Sequence, residues 1–104
     1  GQSTRFDLSE AVQLDFAPGD HVRFRALRLG EEVARLGGTT GAVLIAANAA
    51  ALARFLNRHL EFIDIIPACE AILNLHNYDP TPTLEELMRL DKWAREEVSR
   101  WTCA

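Results

Sequence analysis

The sequence has little cysteine: two among 104 residues. Cys69 and Cys103 stand far apart and fit neither a metal-binding spacing nor a redox pair, so stapling by disulfides or zinc is excluded as the source of stability. They read as free thiols of a reducing compartment, and the expected location is cytoplasmic. Basic charge is also scarce, with eleven Lys and Arg against fifteen Asp and Glu and a net charge of −4. Scattered cations on an acidic chain lack the footprint that neutralises a phosphate backbone, so nucleic acid is not an expected partner. The longest uninterrupted apolar run, Gly41 to Ala47, is shorter than the roughly 20 residues that cross a bilayer, and no basic-then-apolar leader opens the sequence. No membrane partner is expected.

Chemistry-bearing motifs are missing as well. There is no Gly-rich phosphate loop and no H-E-x-x-H, and the acidic pairs Glu31-Glu32, Glu85-Glu86 and Glu96-Glu97 read as solvated helix faces. Ser3, Ser9 and Ser99 stand in no nucleophile motif. His21, His59 and His76 each fall near an expected helix end, where a histidine is a terminus residue before it is a ligand. No metal, cofactor or catalytic residue is therefore assigned, and the chain by itself is not expected to be an enzyme.

What is present is helical periodicity in one domain's length of chain. After an extended opening from Phe6 to Phe16, Ala17-Pro18-Gly19-Asp20 reads as a turn with Asp20 as N-cap of a first helix over His21 to Leu36. Its inner positions are Phe24, Leu27, Leu29 and Val33, and Gly37-Gly38 ends it. Thr39 or Thr40 caps a second helix running to about His59. A third starts after Asp64, with Pro67 in its tolerant first turn, and continues to about His76. Asn77 to Pro82 is a loop, because each proline pushes the residue before it out of helical geometry. Thr83 and Glu86 then form a capping box for a last helix whose inner stripe is Leu87, Leu90, Ala94, Val98 and Trp101. Phe24, Phe55, Phe62, Trp93 and Trp101 fit the core better than a stacking platform. The expected fold is all-α, a four-helix bundle with a short extended N-terminal arm.

Three segments carry a family resemblance: Asp20-His21-Val22-Arg23-Phe24-Arg25-Ala26-Leu27-Arg28-Leu29, then Gly37-Gly38-Thr39-Thr40-Gly41-Ala42-Val43-Leu44-Ile45-Ala46-Ala47-Asn48, then Phe62-Ile63-Asp64-Ile65. In that order and spacing they resemble the C-terminal helical domain of 1-deoxy-D-xylulose 5-phosphate reductoisomerase, an NADPH- and divalent-metal-dependent enzyme of isoprenoid biosynthesis. Pro82 to Leu87 and Trp93 to Glu97 fit that family's last helix, so the resemblance runs from about Leu8 to Glu97. It implies a supporting domain packed on a catalytic domain, with the cofactor-binding and catalytic parts elsewhere.

Several positions depart from the family pattern. Where that pattern reads L-N-A-A-N-E, this chain has Leu44-Ile45-Ala46-Ala47-Asn48-Ala49, and only Asn48 of the three polar residues remains. Arg25 replaces a proline, and Pro67 falls one residue late. Ile45 and Ala49 then share a helix face with Leu52, Ala53 and Leu56. That face is the candidate protein interface. Its expected partner is the parent catalytic domain or another protein, a homodimer included. The competing reading places Ile45 in the bundle core, and a second function class makes the chain a stand-alone or engineered helical scaffold that binds through this face.

Overall fold

The computed structural model describes residues 18–102, with side chains from residue 21 onward. Among them lie four α-helices: α1 (Pro18–Leu36), α2 (Thr39–Leu56), α3 (Ile65–Leu75) and α4 (Leu84–Arg100), with a single 3₁₀ turn, Phe62–Asp64, before α3. The all-helical expectation holds. The extended arm over Phe6 to Phe16 and Cys103 lie outside the described residues.

The caps fall partly where expected. Thr83 opens α4 with both halves of the capping box, its side chain accepting from the Glu86 amide while the Glu86 carboxylate takes the Thr83 amide at 2.8 Å. Asp20 lies inside α1 rather than ahead of it. Thr39 and Thr40 are also helical; the N-cap of α2 is Gly38. Threonine is more useful one step inward here, because the Thr40 hydroxyl returns to the Gly37 and Val33 carbonyls at 2.5 and 3.2 Å and ties α2 to the end of α1. α2 stops at Leu56, short of His59, in a left-handed closure. Arg58 sits at φ 63°, and the His59 amide reaches back to the Arg54 carbonyl at 2.8 Å. Glycine usually occupies such a position because a Cβ is strained there. Arg58→Gly is therefore expected to raise stability by about 0.5–1 kcal/mol, read as a higher urea midpoint with an unchanged slope.

Side-chain links fix the direction of each helix. Arg54, near the end of α2, donates to the Val98 and Trp101 carbonyls at the end of α4, at 2.7 and 2.8 Å, so α2 and α4 run parallel. Thr39, at the start of α2, meets His76 just after α3, so those two are antiparallel. Arg25 of α1 reaches Glu70 of α3 in a two-point ion pair at 2.8 and 3.1 Å. The order is up-down-up-down, with α2 packing against α4, α3 and α1.

The alanines of α2 explain its central place. Ala46, Ala47 and Ala51 are fully buried, as are Val43 of α2, Ile72 of α3, and Ala94 and Val98 of α4. A methyl side chain lets neighbouring helices approach closely while keeping helix propensity high. The apolar character of α2 is thus used first inside the domain. At 18 residues and mean hydropathy 1.4 it is long and apolar enough to cross a membrane by length and composition, a property it shares with core helices of this kind.

Departures from the expected core are equally informative. Leu27, Phe62 and Leu75 are exposed. Leu27 lies off the Leu29–Val33 stripe, and Phe62 lies over Phe55 with 5.6 Å between ring centroids. Cys69 is fully buried as a free thiol, and burial, with the Glu70 carboxylate beside it, pushes its pKa up to about 12. A thiol raised from about 9 to 12 favours the folded state fully below pH 9 and loses that contribution as pH climbs through 12. Stability should fall across that window by up to about 1.4 kcal/mol per pH unit more than in Cys69→Ala. Alkylation of Cys69 at pH 8, followed site by site, should track unfolding, because the thiolate fraction is about 10⁻⁴.

Candidate functional site

The candidate face lies on the side of α2 turned away from Val43, Ala46, Ala47 and Ala51. Along an α-helix each residue advances about 100°, so Ile45, Ala49, Leu52 and Leu56 form one row, with Asn48 and Ala53 on its two flanks. The structure places these residues together and leaves them uncovered: Ile45 is 68% exposed, Leu52 43% and Leu56 69%. Asn48 and Ala53 are exposed and Ala49 is half-buried. Ile45 does not join the core, and Asn48 is a surface residue.

The row carries no formal charge from Gly41 to Ala53, because the first cation of the helix, Arg54, turns to the opposite side. There it is half-buried and holds three carbonyls, those of Val98, Trp101 and, at 3.1 Å, His59. A guanidinium with fixed carbonyl partners is a structural clasp. It closes the shared end of α2 and α4.

The apolar surface extends further than α2. A shallow groove of about 420 Å³ between α2 and α4 is lined by Ala42, Ile45, Leu87, Met88 and Asp91. Met88 and Leu84 are more than 60% exposed. Sequence reasoning missed this continuation because it followed only the inner stripe of α4. The signal was the apolar pair Leu84 and Met88, one turn apart on the outer side of that stripe. Asp91 closes the groove and is paired with Arg95 at 2.8 Å.

At the start of α2 the polar residues are consumed by the fold. Thr39 is buried and accepts the Asp79 amide at 3.0 Å, while its own amide donates to the Asp79 carbonyl at 3.0 Å. His76 lies between two groups: its Nδ1 is 2.6 Å from the Leu73 carbonyl and its Nε2 is 2.9 Å from Thr39 Oγ1. A carbonyl only accepts, so Nδ1 carries the hydrogen, and in the neutral ring Nε2 then accepts from Thr39. Tyr78 locks the same corner by donating to the Leu36 carbonyl at 2.7 Å. His59 is exposed at the far end. Among the described residues no group of three or more His, Cys, Asp and Glu side chains is placed to hold a metal ion.

The site thus belongs to an up-down-up-down helical domain whose polar groups are spent on internal clasps and whose outer α2 row is uncharged. Comparisons with known proteins give its family. The family model described as "DXP reductoisomerase C-terminal domain" matches residues 2–97, and the chain belongs to that family. It is 48% identical over 89 residues to the 1-deoxy-D-xylulose 5-phosphate reductoisomerase of Rhodopirellula baltica, covering 86% of this chain and 20% of the relative. The reductoisomerases of Desulforamulus reducens and Nostoc punctiforme are each 38% identical over 96 residues, covering 92% and 90% of this chain and 25% and 24% of theirs. The chain thus spans about a fifth to a quarter of the length of the curated relatives it matches. No solved structure matches it.

Proposed function

We propose that this chain is the non-catalytic C-terminal domain of a 1-deoxy-D-xylulose 5-phosphate reductoisomerase of isoprenoid biosynthesis, and that it supports the catalytic part of that enzyme. The observation that carries this reading is the confinement of the match to the C-terminal domain, a fifth to a quarter of each relative. The site chemistry agrees. Arg25, Glu70, Thr39, His76 and Arg54 could in principle bind or activate a substrate, but each is held in a contact between elements. Support of this kind acts through position, since displacing catalytic groups by about 1 Å can cost on the order of 100-fold in rate.

The purified chain tests the non-catalytic half directly. It is expected to oxidise no NADPH with 1-deoxy-D-xylulose 5-phosphate above background, and to show no saturable NADPH binding up to about 1 mM, the upper end of ordinary Michaelis constants. Turnover, or a saturable binding curve, would contradict the reading.

A further inference from the structure

We propose that the outer row of α2, continued by Leu84 and Met88 of α4, is the surface on which this domain docks against the preceding part of a reductoisomerase polypeptide. The inference rests on the supporting role proposed above and names its contact surface. Three observations lead to this occupant.

First, several of the uncovered apolar residues follow one another along one surface. Met88 borders Ile45 through the groove, with Leu84 one turn before it on α4, and the row then runs through Leu52 to Leu56, about 16 Å along the axis at 1.5 Å per residue. Isolated exposed leucines are ordinary, whereas a contiguous apolar patch marks a contact. Second, the α2 row carries no charge, and the one ion at the groove, Asp91, already has Arg95 as its partner, so covering the row desolvates no unpaired ion. The outer side of α1 differs, with Arg28 paired to Glu31 and Arg35 to Glu32 in solvent.

Third, the start of α1 lies at the same end of the domain as the finish of the row. The matched part is the C-terminal domain, so in the relatives about three quarters or more of the polypeptide joins it ahead of α1. The first turns of α1 lie with the start of α3, where His21, Val22 and Arg25 share a cavity with Ile63, Asp64, Ile66 and Pro67. That is the same end at which α2 finishes with exposed Leu56 and hands over to exposed Phe62 and Ile63. α1 therefore begins at the end of the domain where the apolar row finishes. An apolar surface of the preceding domain, with a side chain seated in the groove beside Met88, fits this arrangement.

Met88 is the single methionine of the chain and serves as a built-in probe. Peroxide converts an accessible thioether to the sulfoxide, and burial slows the reaction. The experiment compares Met88 oxidation, read by peptide mass, in the isolated chain and in the Rhodopirellula baltica enzyme carrying this chain in place of its own matched segment. Oxidation is expected to be at least about fivefold slower in the chimera, as for residues sealed from water at an interface centre. Ile45→Glu in the chimera should restore the fast rate; with Ile45 exposed, that change leaves the isolated fold intact. The same slowing is expected in trans, when the chain is added to the relative truncated before the segment.

Equal rates in the free and joined states would overturn the assigned face. The supporting role would be judged separately, by whether removing the segment destabilises the enzyme. Slowing in the isolated chain that rises with its concentration, in step with a dimer seen by light scattering, would assign the face to a second copy and overturn the proposal.

Discussion

Gly38→Ala is expected to be the most damaging small substitution in the chain, lowering stability by at least about 3 kcal/mol. Two independent causes coincide there. Gly38 has φ 57° and ψ −133°, a conformation that residues with a Cβ rarely adopt. A Cβ at that position would also meet the Asp79 carbonyl oxygen at 2.3 Å and the Pro80 Cα at 2.8 Å, both of them backbone atoms that cannot swing aside. Relief by moving the loop would break the paired bonds between Thr39 and Asp79 and expose a buried hydroxyl. Gly30 is the matched control, because nothing lies within 4 Å of a Cβ there and it sits inside α1. Gly30→Ala should raise stability by about 0.5–1 kcal/mol through helix propensity. Urea midpoints of the two variants, measured side by side, check both signs; a Gly38→Ala midpoint near that of the unaltered chain would remove the α1–α2 corner from the account.

Arg25→Ala should cost about 2–4 kcal/mol, the low side of what breaking a buried ion pair costs, because water can partly reach the vacated site. Glu70 is 5% exposed and its two carboxylate oxygens face the two guanidinium donors of Arg25, whose side chain is 27% exposed. Removing the arginine leaves a buried anion without its counter-ion. Replacing both residues with leucine removes the unpaired charge as well, so the double variant should recover most of the loss. A double-mutant cycle giving a coupling near zero would show that Arg25 contributes only packing. The pair also gives a physical reason for a departure from the family pattern. A proline at position 25 would fall inside an α1 that already begins at Pro18, and it would break the helix there. Arginine lets the helix run through and fastens α1 to α3.

The elements of this fold were legible where local rules act alone. The Thr83–Glu86 capping box and the Ala94–Val98 stripe depend only on spacing within one helix, and both are found as read. The start of α2 was misread because threonine's preference for caps yields here to a longer-range demand: Thr39 is needed inside the helix to bind His76 and Asp79. The Arg25–Glu70 pair spans 45 residues, and no local pattern announces such a partner. For the candidate face, the row from Ile45 to Leu56 could be read from periodicity. Its outward direction could not, since an all-apolar helix has no polar side to mark solvent. That depends on which side of α2 the other helices take, and the small residues Ala46, Ala47 and Ala51 turn out to define the inner side.

The proposed role is that of a domain without chemistry of its own that supports an enzyme. The most direct test is the turnover of the Rhodopirellula baltica reductoisomerase in three forms: intact, with the matched segment deleted, and with this chain in its place. Deletion is expected to lower turnover on the order of 100-fold or more, and this chain to restore it to within about tenfold of the intact enzyme. A deleted form as active as the intact enzyme, or a folded chimera no better than the deletion, would contradict that role.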